Sequence, residues 1–203
     1  MEQRIHIVET IAAGQMTDEQ SAIGKLKRGD ISGLQRLVEL HYARAVRTAY
    51  LVCRDLPMSE DVAQGAFLRA YERIEQFDES RAFAPWLLRS VVNDAIKASR
   101  RQERVASLSG GTDETEEWMV LPSPEASLEE LVEAGETSEA IWEAVGRLTP
   151  EQRGAIVMRY YLQMSEREMA ARLQVPPGTV KSRLNSARGS LRRLLPAWLK
   201  PGA

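Results

Sequence analysis

The sequence predicts an all-α protein: two small helical domains joined by an acidic flexible linker, the C-terminal one containing a helix-turn-helix. Three observations carry this. Between residues 19 and 104 the apolar residues recur at three and four rather than at two, the period of helices and not of strands. Two capping-box signals, "TPEQ" at 149–152 and "SERE" at 165–168, stand ahead of further apolar periodic segments. Between these halves, residues 105–135, "VASLSGGTDETEEWMVLPSPEASLEELVEAG", mix Gly, Ser, Pro and acids with only a weak helical pattern after Ala126.

The elements follow in order. Residues 1–18 form an N-terminal extension with no assigned role. In the first domain, 19–104, a helix starts with Asp30 as its N-cap and carries Leu34, Leu37, Val38, Tyr42, Ala45, Val46 and Ala49 towards Arg54. Pro57 breaks the chain, and Ser59 caps a second helix whose Val62, Ala66, Ala70 and Ile74 make a stripe up to the polar turn "FDES" at 77–80. Phe67, Tyr71 and Phe77 are expected in the core. A third helix runs from about Phe83 to Arg101. The second domain, 136–203, opens on "SEAIWEAVGRL"; Thr149 and Gln152 then cap a helix with Pro150 at its first position. Ser165 and Glu168 start a short helix with Met169, Ala170 and Leu173 inward. "QVPP" ends that helix, and a long one begins near Gly178, giving helix, short turn, helix.

Composition removes several classes of function. No run approaches the roughly eighteen apolar residues that span a bilayer, and "MEQRIHIVETIAAGQ" lacks a signal-peptide pattern, so a cytoplasmic protein without membrane insertion is expected. Cys53 is the one cysteine and is expected to be an inert core residue, and with only His6 and His41 beside it no metal site or other cofactor is expected. Charge is distributed unevenly. Residues 105–146 hold eleven acids and no Lys or Arg, so the rest of the chain stands at +9 against an overall −2. Such asymmetry points to a polyanion partner.

The last helix shows what that partner is. With Val180 at zero and about 100° per residue, Leu184, Ala187, Leu191 and Leu195 share its face. Ser182, Asn185, Ser186, Gly189 and Arg193 lie opposite, with Lys181, Arg188 and Arg192 on one flank and Arg183 on the other. No acid follows Glu168. A small polar face edged by cations suits the major groove, where short donors and acceptors reach base edges and cations reach phosphates.

The third helix, "FAPWLLRSVVNDAIKASRR", projects differently. Leu87, Leu88, Val91, Ala95 and Ala98 form its inner face, and Trp86, Arg89, Asn93, Lys97 and Arg100 lie across from them, with Arg81 and Phe83 at the edge. An aromatic at the head of a basic and amide-bearing stripe is what a single-strand binder needs: a surface for unstacked bases, and cations along the backbone. The alternative is that Trp86 packs over the preceding helix from the margin of the core.

These residues resemble the extracytoplasmic-function sigma factors of bacterial RNA polymerase over roughly residues 20–195. "SEDVAQGAFLRAYERIEQFD" is similar to the family's core-polymerase-binding helix, "FAPWLLRSVVNDAIKASRRQ" to its segment that reads and melts the minus-ten element, and "MSEREMAARLQVPPGTVKSRLNSARGSL" to its minus-thirty-five reader. The resemblance implies that Asp61, Gln64 and Phe67 meet the polymerase and that the turn from Gln76 to Phe83 captures a flipped base. It implies that Arg81, Phe83, Trp86, Arg89, Asn93, Lys97 and Arg100 contact the opening minus-ten element. Thr179, Lys181, Ser182, Arg183, Asn185, Ser186, Arg188 and Arg192 would contact the minus-thirty-five element. Pro85 and Ser186 depart from the family's usual residues. The implied partners are core RNA polymerase, promoter DNA as duplex and as melted strand, and an anti-sigma factor as a possible third.

Two rival functions are weaker. A helix-turn-helix regulator would bind duplex operators without polymerase, which leaves the Trp86 stripe unexplained. An enzyme acting on nucleic acid needs a nucleophile beside a base, or clustered carboxylates within the basic region, and the acids concentrate in the linker instead. The expected factor therefore makes no covalent bond.

Overall fold

The computed structural model describes residues 18–109 and 135–195, which form eight α-helices with no strand among the described residues. Helix α1 covers 18–27. It ends where Gly29 turns left-handed, at φ +82°, so that the N–H groups of Asp30 and Gly29 reach the carbonyls of Lys25 and Leu26 at 3.0 Å. Helix α2 is Ser32–Cys53. Asp30 still accepts the Ser32 N–H at 2.9 Å, but the N-cap position belongs to Ile31, one residue later than expected.

Pro57 is not the breaker. Arg54 is, in a left-handed conformation whose N–H returns to the Tyr50 carbonyl. Pro57 sits in the first turn of α3, Leu56–Glu72, where its missing N–H costs nothing. The cap consequently falls on Asp55, which accepts the Met58 N–H at 2.7 Å. Ser59, expected in that role, is buried inside the helix and donates its hydroxyl to the Asp55 carbonyl at 2.5 Å. A short 3-10 turn, Ile74–Gln76, leads to α4, Phe83–Ser109. This helix runs past its expected end at Arg101 and into the first residues assigned to the linker. The remainder of that linker, the N-terminal extension before residue 18 and residues 196–203 lie outside the described residues.

Helices α2, α3 and α4 close on Leu37, Ala49, Val52, Ala63, Phe67, Leu87 and Val91, all at most 3% exposed. Tyr71, expected among them, is 43% exposed. Cys53 is buried, and burial pushes its thiol pKa up, as befits a core residue.

The second domain consists of α5 (Gly135–Gly146), α6 (Pro150–Ile156, running into a π turn at Val157–Tyr161), α7 (Glu166–Leu173) and α8 (Pro177–Leu194). Both capping boxes form. Thr149 accepts from the Gln152 N–H while Gln152 accepts from the Thr149 N–H, and Ser165 and Glu168 exchange the same pair of bonds. Helix α7 stops at Gln174, left-handed at φ 53°, and the Val175 N–H bonds the Ala170 carbonyl. Met158, Met164, Met169, Val180 and Leu184 fill the space between α6, α7 and α8.

The apolar interiors of the two domains are continuous. At the junction Arg153 of α6 is only 7% exposed. Its Nε donates to the Val52 carbonyl at 2.6 Å and one Nη to the carbonyls of Leu148 at 2.7 Å and Gly146 at 3.3 Å. Val52 belongs to the last turn of α2, whose free carbonyls carry partial negative charge and stabilise a cation there. Burial lowers the Arg153 pKa and the Glu103 carboxylate opposes that shift.

Candidate nucleic-acid interface

Helix α8 presents its surface as the periodicity requires. Val180, Leu184 and Ala187 are fully buried, which leaves Lys181, Ser182, Asn185, Ser186 and Arg192 exposed and Thr179, Arg183 and Arg188 at the margins. Side chains of α6 and the π turn after it engage two residues of this surface. Gln152 donates to the Ser186 hydroxyl at 2.8 Å, and Arg188 donates from Nε to the Tyr160 hydroxyl at 2.9 Å. Ser182 donates to the Thr179 carbonyl. Among the described residues no carboxylate pairs with a cation of α8.

On α4 the outer stripe is present but occupied. Trp86 is half-buried, its ring 5.1 Å from Phe77 and 5.6 Å from Phe83 by centroid, so it packs at the core margin while its outer side lines a cavity of about 410 Å³. Arg69, Arg73, Asn93, Lys97 and Arg172 line the same cavity. Arg172 comes from α7, and it donates to the Arg89 carbonyl and the Ser90 hydroxyl. Burial lowers its pKa; Asp94 opposes the shift, and Arg73, Arg89 and Arg69 add to it. Arg89 pairs with Glu168 at 3.3 Å and Arg100 with Glu151 at 2.9 Å, both acids belonging to the second domain. Lys97, 70% exposed, stands 3.8 Å from Asp94.

Two expected contact residues are core residues instead. Phe83 has no exposed surface: it lies beneath Trp86, and its N–H is held by Glu19. In this conformation it offers nothing to a base. Arg81, at the same edge, is 75% exposed and paired with Asp78. Asp78 also accepts the Ser80 N–H and hydroxyl, which fixes the turn.

Phe67 is the second: at 3% exposed it is in the core, as periodicity expects, and not on the face where the resemblance implied a polymerase contact. Asp61 and Gln64 are exposed as expected, and the residues that continue their face are Leu68, 60% exposed, and Tyr71, 43% exposed. The spacing 61, 64, 68, 71 is helical, so the stripe was available from periodicity alone.

Comparison with known proteins separates the two halves in the same way. The Sigma-70 region 2 model matches residues 37–105 and the Sigma-70 region 4 model residues 138–191. The ECF RNA polymerase sigma factor SigL of Mycobacterium tuberculosis is 32% identical over 163 residues, covering 80% of this chain and 88% of its own. The chain belongs to the ECF RNA polymerase sigma factors. The ECF sigma-E factor of Escherichia coli is 30% identical over 182 residues, 87% of this chain and 93% of that protein. SigW of Bacillus subtilis is 29% identical over 176 residues, with 85% and 94% covered. Among solved structures, the sigma factor RpoE of Bartonella quintana, in complex with the anti-sigma factor NepR, matches the fold with a TM-score of 0.57 at 22% identity. It covers 79% of this chain and 94% of its own. As a sigma factor the protein binds core RNA polymerase and directs promoter-specific initiation of transcription. Region 2 of this sigma factor comprises most of α2, together with α3 and most of α4; region 4 comprises α5 to α8. No helix among the described residues is long and apolar enough to cross a membrane.

Proposed function

We propose that this sigma factor divides promoter recognition between two helices and docks on polymerase through a third. Helix α8 enters the major groove of the minus-thirty-five element, with Ser182, Asn185 and Ser186 towards base edges and Lys181, Arg183, Arg188 and Arg192 towards phosphates. The outer side of α4, from Trp86 through Arg89, Asn93 and Lys97 to Arg100, holds the melted minus-ten strand, with Trp86 as the stacking surface and Arg81 at its edge. Trapping unstacked bases offsets an opening cost of a few kcal/mol per step, on the order of 1–3 kcal/mol per stacked base. No covalent step is involved, the factor acts in the cytoplasm, and an anti-sigma factor is a third partner.

The core-binding face is Asp61, Gln64, Leu68 and Tyr71 of α3. The observation that carries the whole reading is the pairing of an acid-free recognition helix with an exposed aromatic and polar stripe on α3, in a chain whose second basic surface sits on α4. Run-off transcription with core RNA polymerase on a promoter library is the test. Transcripts are expected from one promoter class only, and Leu68→Asp is expected to weaken binding to core by about 2 kcal/mol, the scale of an interface anchor. Promoter-specific duplex binding that is unchanged by core, with no transcript, would favour an operator-binding regulator.

A further inference from the structure

Helix α1 is attached to the chain on both sides of the turn that leads into α4. Its inner stripe, Ala22, Ile23 and Leu26, is at most 3% exposed and fixes the helix against the region 2 core. Glu19 and Lys27 stand at the two ends of that stripe, about 12 Å apart along the helix axis. Lys27 Nζ donates to the Phe77 carbonyl at 2.9 Å and pairs with Glu79 at 2.8 Å. Glu19 accepts the Phe83 N–H at 3.2 Å through one oxygen, and its other oxygen stands 2.7 Å from Nε2 of His41.

The two main-chain groups so held bound an exposed arc. Phe77 and Phe83 are both buried, their rings edge to face at 5.6 Å, while every residue from 78 to 82 is exposed. Core packing holds the rings, and α1 holds the backbone beside them. The arc therefore leaves and re-enters the core at points set by side chains 50 and 64 positions upstream.

These contacts suit partly buried charges. An ammonium has three protons to place, and Lys27, with 22% of its side chain exposed, finds a carbonyl and a carboxylate for them. A carboxylate over the first N–H of a long helix is favoured by the helix dipole as well as by the bond itself. The arc also carries two acids close to Arg81. Asp78 is turned in on Ser80 and Arg81, and Lys27 draws in Glu79. Neither carboxylate is left unpaired beside a passing phosphate chain.

We propose that α1 is a specificity element of the minus-ten site: Lys27 and Glu19 are positioning residues that fix the arc 78–82, and with it Arg81, against the head of the α4 stripe, and so set the base preferred where the arc meets the strand. The proposal rests on the assignment of α4 and Arg81 to the melted strand. It extends minus-ten recognition to a helix outside residues 37–105, the part matched by the region 2 model.

The test uses the full-length protein with core RNA polymerase on a promoter library randomised across both elements, with the transcripts sequenced. Lys27→Met removes the contacts at the entry to the arc, and Glu19→Ala the one at its exit. Each is expected to lower preference at one or two adjacent minus-ten positions by about three- to tenfold, part of the discrimination that one base pair typically carries. Preference across the minus-thirty-five element is expected to stay as it is. Lys27→Arg, which can still donate to both partners, is expected to restore most of the minus-ten preference. Ile23→Val trims the buried stripe of α1; it is expected to lower the melting temperature without altering preference. Arg81→Ala reports on the arc itself and is expected to lose preference at the same position as Lys27→Met.

Loss of preference in Arg81→Ala with none in Lys27→Met or Glu19→Ala would overturn the role of α1. So would a uniform fall in transcription from all promoters that Ile23→Val reproduces, because a purely structural helix gives that result. Unchanged minus-ten preference in Arg81→Ala and Trp86→Ala as well would overturn the assignment of α4 itself, and the α1 proposal with it.

Discussion

Helix α8 carries five cations around small polar side chains, and among the described residues none of them meets an acid; on α4, Arg89 and Arg100 each meet a glutamate of the other region. The two helices follow the same design, an apolar inner face and a basic outer one. They differ in what the fold lays over the outer face. The face proposed to read duplex is therefore free of acids among the described residues, while the face proposed for the melted strand is engaged by them. Amphipathic pattern alone identifies a nucleic-acid surface but says nothing of whether that surface is available.

The strongest way to break this comparison is at Arg153. Arg153→Ala leaves three backbone carbonyls without their donor and separates α6 from α2. It is expected to destabilise the full chain by about 3 kcal/mol, the scale of a buried charged hydrogen-bond network. That corresponds to a fall of roughly 6–12 °C in melting temperature for a chain of this size. An unchanged melting temperature would show that region 4 does not rest on region 2 in solution.

A second experiment sharpens the contrast between the two basic faces. Asn185→Ala is expected to relax sequence preference at one upstream base pair at a cost of about 1–3 kcal/mol, and Lys181→Ala to weaken binding to all duplexes alike and flatten the salt dependence by about one unit of log–log slope. Trp86→Ala should leave upstream duplex binding intact and lower open-complex formation by about 1–3 kcal/mol, with recovery on a pre-melted promoter. Permanganate reactivity of unpaired thymines measures it. A general loss of stability with no effect specific to melting would make Trp86 purely a core residue.

The smallest effects distinguish the regions by pH. In region 2, burial pulls the His41 pKa below its ordinary value of 6.5 although Glu19 opposes the shift. The folded state therefore disfavours the imidazolium: the stability this supplies is fully present above about pH 6.5 and is lost as pH falls through the depressed value. In region 4 the Glu168 carboxyl is held below its usual range by the N–H and hydroxyl of Ser165, with Arg89 adding to it. Its contribution is present above about pH 4.3 and disappears only as pH falls through the still lower folded value. Amide protection factors, corrected for the intrinsic pH dependence of exchange and followed from pH 8 to pH 5, are expected to fall around α1 and the start of α4 while the first turn of α7 keeps its protection. A fall in protection at α7 in that window would contradict the assignment of the Glu168 carboxylate.

What could be read from the sequence was local. The capping boxes at Thr149 and Ser165 need only residues three apart, and the buried and exposed faces of α8 follow from period alone. The errors in the first domain are also local: Asp55 displaced Ser59 as cap because Leu56 and Pro57 open the helix, and the resemblance implied a polymerase contact at Phe67, which periodicity keeps in the core; Leu68, about 100° further round, is the exposed residue. The closed junction was not legible. Arg153 and Val52 are 101 positions apart, and nothing in the pattern of α6 says that its arginine turns inward. Val92 and Ile96 gave the one hint, since they leave α4 apolar beyond the face that region 2 alone needs; both are buried. Most of the eleven acids of 105–146 lie outside the described residues. Glu151 and Glu168, on the other side of that stretch, are acids of the second domain that pair with arginines of α4.

Helix α4 ends at Ser109 and α5 begins at Gly135. The twenty-five residues between them extend to at most about 85 Å when fully drawn out, and α4, with 27 residues, is itself about 40 Å long. Two promoter elements centred some twenty-five base pairs apart are separated by about 85 Å of duplex. One covalent connection is thus long enough both to let region 4 fold back on α4 and to let it stand at the far element. It has little length to spare for the second. Chain length acts as a ruler here: removing about a dozen residues from the connection cuts its reach to about 45 Å, against about 85 Å between the two elements, whatever the affinity of α8.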